Sequence, residues 1–169
     1  MAAEAETPGD EITPRTLRNA LGRFATGVTI ITCLDAQGER VGLTANSFNA
    51  LSLEPPLVLW SLRRQSPSLA AFEAASHWVV NVLAETQVEL SRRFASAVAD
   101  KFERGPWTPG LGGAPVLAGA AAVFECERHA LHDGGDHRLF VGRVRRLADG
   151  ALAPLLFHSG HYRMLGEVL

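Results

Sequence analysis

The stretch GLTANSFNALSLEPPLVLWSLRRQSPS, Gly42–Ser68, sets the reading of the chain. Its middle, Leu57–Leu62, is a nearly unbroken apolar run that begins directly after Pro55-Pro56. Such a run reads as a buried strand starting after the prolines, which cannot donate to a ladder. Val41–Thr44 reads as a strand too, so the small polar residues Thr44, Asn46 and Ser47 lie between two strands. Ser66-Pro67-Ser68 then reads as a helix start, with Leu69 and Phe72 on the buried side.

Working outward towards the N-terminus, Val28–Leu34 is β-branched and reads as a strand. Asp35-Ala36-Gln37-Gly38 is a hairpin-like turn that joins it to Val41–Thr44. Before it, Thr13 and Pro14 have the form of an N-cap and first helical residue. Leu17, Leu21 and Phe24 follow at helical spacing, so this helix is expected to bury one face and to end at Gly27. Residues 1–12 are expected to be a disordered tail, and 13–169 a single domain.

Towards the C-terminus, His77–Leu83 reads as a strand. Thr86 and Glu89 have capping-box spacing and open a third helix, with Leu90 and Phe94 inward. Residues 98–118 carry Gly and Pro and read as an irregular excursion. Ala120–Leu131, Arg138–Leu147, Pro154–His158 and His161–Leu165 read as closing strands, although Ala118–Ala122 also reads as helix. Six or seven strands without regular βαβ alternation disfavour a parallel doubly wound sheet. The expected fold is mainly β, an antiparallel barrel with a few short helices at its ends.

The bulk properties narrow the function. The chain has 169 residues, is 47% hydrophobic and carries a formal charge of −2. It can bury a full core, and it gives no electrostatic case for nucleic acid. No apolar run reaches membrane-spanning length, and the acidic start lacks the basic and apolar segments of a secretion signal. Cys33 and Cys126 lie far apart in apolar, strand-like runs. They read as buried thiols of a cytoplasmic protein rather than as a disulfide. His129, His132, Asp133, Asp136 and His137 are dense in ligand-type atoms, but alternate strand positions face opposite ways and the spacing fits no zinc pattern. No metal is expected.

Thr44, Asn46 and Ser47 leave backbone N–H groups and short side chains at a strand end. A flat, amide-rich heterocycle needs such an edge, with apolar cover on its faces. Ser61, Arg63, Ser66 and Ser68 follow at a helix start, where free N–H groups and arginine suit an anion. Ring edge followed by phosphate is the order one mononucleotide requires. Taken singly, Thr-Ala-Asn-Ser is also an ordinary polar turn, and Ser-Pro-Ser an ordinary helix cap.

Gly42–Phe48 followed by Leu51–Val58 resembles the signature of the flavin-reductase-like family, whose fold is the FMN-binding split barrel. Leu17–Phe24 with Ala25-Thr26-Gly27-Val28 is similar to that family's opening. Val80–Leu83 with Gln87, Leu90 and Phe94 is similar to its middle, and Gly135-Asp136-His137 to its nicotinamide-side motif. The similarity spans about residues 15–165. It is strongest to the reductase component of two-component flavin-dependent monooxygenases.

The resemblance implies roles. Thr44, Ala45, Asn46 and Ser47 would meet the flavin ring edge. Ser61, Leu62, Arg63, Ser66 and Ser68 would meet the ribityl phosphate, with Arg93 as a further phosphate candidate. Gly135 and Asp136 would line the nicotinamide approach, and His137 would orient the nicotinamide or the flavin ring. His-Asp-Gly-Gly-Asp-His is also a good hairpin turn in its own right. Tyr162 and His158 would lie near the flavin. The implied cofactors are FMN or FAD, with NADH, or else NADPH, as hydride donor. The implied partners are a second copy of the chain and a separate monooxygenase that receives reduced flavin by diffusion. A non-enzymatic flavin carrier and an oxidase of the pyridoxamine-phosphate type are alternatives on the same barrel.

Overall fold

The computed structural model describes residues 11–168. The expected tail therefore lies almost wholly outside the described residues. In chain order the elements are α1 (Pro14–Leu21), β1 (Thr26–Gly27), β2 (Thr29–Leu34), β3 (Arg40–Ala45), β4 (Asn49–Ser52), β5 (Leu57–Arg63), α2 (Leu69–Ala74) and β6 (His77–Val82). There follow α3 (Val88–Ala95), β7 (Trp107–Pro109), β8 (Pro115–Leu117), β9 (Ala122–Gly134), β10 (His137–Asp149), β11 (Leu156–His158) and β12 (His161–Arg163).

Seven strands form one antiparallel sheet in the order β3-β2-β6-β9-β10-β5-β4. The small sheet β1-β11-β12 and the hairpin β7-β8 flank it. The mainly β, antiparallel expectation holds. The seven strands make no closed barrel, because β3 and β4 remain edges.

The core follows the alternation of the central strands. Trp60 and Phe140 stack with ring centroids 4.4 Å apart. Phe72 and Trp78 meet Trp60 edge-on at 4.9 and 6.4 Å. All four rings are fully buried, and Ile31, Val80 and Cys126 pack with them. A second cluster, Val28, Ile30, Leu83, Phe94, Leu117 and Leu155, lies under α3 and the β7-β8 hairpin. Burial pushes the Cys33 and Cys126 thiols up to about 12, and both are free.

Five local expectations are corrected. Helix α1 starts as read, with Thr16 N donating to Thr13 Oγ1, but it stops at Leu21 with Gly22 as its C-cap. Gly27 belongs to β1 instead. No residue of α1 is buried, and Leu17, Leu21 and Phe24 stay exposed. The third helix is not capped by Thr86. The cap forms two residues earlier, where Ala84 N donates to Gln87 Oε1, and a short 3-10 turn, Glu85–Gln87, precedes α3. Residues 98–118 are less irregular than expected, since they hold β7 and β8. Ala118–Ala122 is not helical; it is a turn leading into β9.

Candidate flavin site

The turn after β3 is held against β5 by one hydroxyl. Ser47 Oγ donates to Ser61 O at 2.9 Å and accepts from Ser61 N at 3.0 Å. The sequence places these residues fourteen apart, and the structure makes them neighbours. Ser47 thus spends its hydroxyl on the strand, which leaves the exposed side chain of Asn46 as the turn's free polar group.

Asn46 and Ser47 line a cleft of about 1150 Å³ whose opposite wall is α1 and the segment after it: Arg18, Arg23, Phe24 and Thr26. Phe157 and Ser159 complete it. The hydroxyl of Thr26 is buried and has no protein partner. Trp60 Nε1 and Trp78 Nε1 in the core are unpartnered in the same way, so the hydroxyl does not by itself mark a ligand. The volume exceeds the usual range for a ligand cleft of roughly 300–1,000 Å³, so a mononucleotide fits with room to spare. The exposed Asn46 amide and the apolar wall of Phe24 and Phe157 together fit a flavin ring.

The other ring-edge residues have structural partners. Thr44 Oγ1 donates to Ser91 O of α3 at 2.7 Å. Ala45 O accepts from Thr29 Oγ1 at 2.7 Å. Tyr162 OH and Ser91 Oγ are 2.8 Å apart, and Ser91 is fully buried. Thr44 and Tyr162 are thus tied to α3 through one residue. Tyr162 also packs on Phe157, which lines the cleft. His158 lies opposite His161 in the β11-β12 hairpin.

The phosphate candidates gather where β5 ends. Leu62 is buried and fixes the strand, while Arg63 is exposed. Ser66 N donates to Arg63 O at 3.0 Å, and Ser68 N donates to Ser66 Oγ at 3.3 Å. Helix α2 begins at Leu69 with no side-chain cap from Ser68. It has only six residues, so its dipole is weak and Arg63 supplies the main positive charge. Arg93 points elsewhere: it pairs with Asp100 Oδ1 at 3.0 Å and donates to Lys101 O at 3.2 Å.

Gly135-Asp136 is the two-residue loop between β9 and β10. Gly135 has φ +65°, which suits the first position of a type II′ turn. His137 stands opposite Arg63 in the β10-β5 register, so this turn adjoins the phosphate candidates. His137 Nδ1 lies 2.8 Å from Asp136 Oδ1. That hydrogen bond, then the imidazole charge, holds the Asp136 carboxyl below the usual carboxylate range. Asp133 is lowered as well, by hydrogen bonds from Arg64 and then Arg138.

The structure therefore makes two groups. Asn46 and Ser47 face the α1 cleft, and Ser47 is linked to Ser61. Ser61–Ser68 and Gly135–His137 meet where β5 and β10 pair. Sequence reasoning missed the α1 wall, with Arg18, Arg23 and Thr26, and it missed Arg64. The exposed apolar residues of α1 were a signal for the first. Arg64 had no signal beyond standing next to Arg63.

Comparison with known proteins identifies the family. The model of the "Flavin reductase like domain" family matches residues 21–166. The reductase subunit HsaB of a flavin-dependent monooxygenase from Rhodococcus jostii is 44% identical over 163 residues, covering 96% of this chain and 83% of its own. The FMN reductase (NADH) SmoA of Agrobacterium fabrum is 44% identical over 155 residues, covering 92% and 87%. Among solved structures, the NADH:FAD oxidoreductase SgcE6 of Streptomyces globisporus, in complex with NAD and FAD fragments, superposes with a TM-score of 0.86 at 36% identity. That match covers 94% of this chain and 98% of the other. Relatives differ in length, and the chain spans 51% of a probable flavin reductase from Rhizobium meliloti. Family model, relatives and fold agree over nearly the whole described chain, which belongs to the flavin reductase-like family.

Proposed function

We propose that this chain is an NAD(P)H:flavin oxidoreductase that supplies reduced flavin to a partner monooxygenase. The observation that carries the reading is the juxtaposition on β5. Ser47 ties the ring-edge turn to Ser61, and His137 stands opposite Arg63 one strand away. Ring-edge and nicotinamide-side segments thus both border β5, the strand that leads into the phosphate segment. The names of relatives, a monooxygenase reductase subunit and an NADH-dependent FMN reductase, support the same activity.

The overall reaction is NADH + H⁺ + oxidised flavin → NAD⁺ + reduced flavin. When bound, the flavin and nicotinamide themselves supply the hydride chemistry. The chain's residues bind and orient. Asn46 and the main chain of Thr44–Ser47 offer hydrogen bonds to a ring edge, and main-chain N–H groups there stabilise negative charge. Arg63 and Ser66 hold the phosphate. Phe24 and Phe157 give the cleft apolar walls that exclude water. His137, oriented by Asp136, lines the approach of the second ring.

The chain acts as one domain over 13–169, in the cytoplasm, and as a homodimer. Leu21 and Phe24, 63% and 74% exposed, are too apolar for a free surface and stand at the mouth of the cleft. A second copy covering α1 would finish that wall.

Anaerobic stopped-flow mixing of NADH with the flavin-loaded protein tests the activity. The flavin absorbance should bleach on the timescale of steady-state turnover. A band that persists would replace the reductase with a flavin carrier.

A further inference from the structure

We infer that Arg64 is a positioning residue that anchors the Gly135–His137 turn to the phosphate-binding segment. The inference rests on the reading that this turn flanks the nicotinamide. Arg64 grips the turn at three points. Its main-chain N donates to Asp136 O at 2.9 Å, and its Nε donates to Gly135 O at 3.0 Å. Its Nη2 pairs with Asp133, two residues before the loop.

The grip continues inward. Asp133 also pairs with Arg138, and Arg138 Nε approaches Glu73 Oε1 of α2 to 3.0 Å. Arg138 stands opposite Leu62 on one side and Asp133 on the other. A chain of charges therefore runs from α2 through β10 to the tip of the hairpin. Arg64, inside the phosphate-binding segment, and α2, which follows it, both belong to it.

Exposed ion pairs contribute little to global stability, and the Arg64 and Asp133 side chains are 43% and 69% exposed. The function of this pair is therefore local. A two-residue loop fixes the register of its strands but leaves its own carbonyls free to reorient. The guanidinium's planar fork holds a carbonyl and a carboxylate at once, which an ammonium does not match. Asp136, whose carboxylate orients His137, is thereby held at its main chain by Arg64 and at its side chain by His137.

The test compares Arg64→Met, Arg64→Lys and His137→Ala with the parent protein. It reads KM for NADH, kcat, flavin affinity and amide hydrogen exchange at residue 64, whose N–H donates to Asp136 O and so reports opening of the turn. Arg64→Met should raise KM for NADH about fivefold and speed that exchange, with flavin affinity within about twofold and Tm unchanged. Arg64→Lys should fall between Arg64→Met and the parent protein. Unchanged exchange in Arg64→Met overturns the inference whatever the kinetics. So does an unchanged KM in Arg64→Met when His137→Ala raises it. Faster exchange with KM unchanged in both variants would sustain Arg64 as the anchor and remove the turn from the nicotinamide site.

Discussion

Single side chains here divide into those that hold the protein together and those left over for a ligand. Ser47, Thr44 and Tyr162 spend their polar atoms on Ser61 and Ser91. Asn46 and Arg63 do not. Replacing Arg63 and Ser66 together by alanine should weaken flavin binding at least tenfold, about 1.4 kcal/mol. Fluorescence titration checks this, and unchanged affinity would take the pair out of the phosphate site. The two cysteines give a sharper test of burial. With both thiols near 12, essentially no thiolate exists at neutral pH. Because the folded value lies above the ordinary one, deprotonation favours unfolding, and the protein loses stability as pH rises past the ordinary thiol range. A thiol reagent should label neither cysteine in the native protein and both in denaturant. Rapid native labelling would show that one is reachable.

Among the elements, β10 does the most. It pairs with β9 along its whole length and with β5 over seven residues, His137–Arg143. Gly142 is the point where nothing larger fits. A Cβ there would lie 2.9 Å from Cys126 Cβ and 3.1 Å from Trp78 Cζ2, both fully buried. Gly142→Ala should cost about 1–3 kcal/mol through overpacking, read as a lower Tm. An unchanged Tm would mean that the Trp78 ring can move aside. Helix α1 is the opposite case, a well-capped helix with no buried residue. Its periodicity, Leu17, Leu21 and Phe24, was legible in the sequence. The surface it serves was not, because amphipathic spacing does not say whether the covering layer comes from the same chain.

At the scale of the molecule, that bare helix borders the cleft that also takes Asn46 and Ser47. Replacing Leu21 and Phe24 together by glutamate should convert a dimer to a monomer and weaken flavin binding with it. Sedimentation and a flavin titration on the same sample check both. A variant that stays dimeric would place the interface on another face. Among the described residues no helix is long and apolar enough to cross a membrane.

The sequence by itself determined most strands of the main sheet and the family. Those depend on local signals: apolar runs bounded by proline, Gly at a turn, small polar residues after a strand. Leu57–Leu62, Asp35–Gly38 and Gly135-Asp136 each carried their structure in their own composition. Only the tertiary structure decided which polar groups were spent and which were free. Thr44, Ser47 and Ser61 look alike in sequence, yet their partners lie 47 or 14 residues away. It also separated Arg93, drawn to Asp100, from Arg63, and it revealed Arg64 as the hand on the hairpin. The physical reason is common to all of these. A strand's pattern is written over a few neighbouring residues, whereas a side chain's hydrogen-bond partner is chosen by the register of strands far apart in the chain.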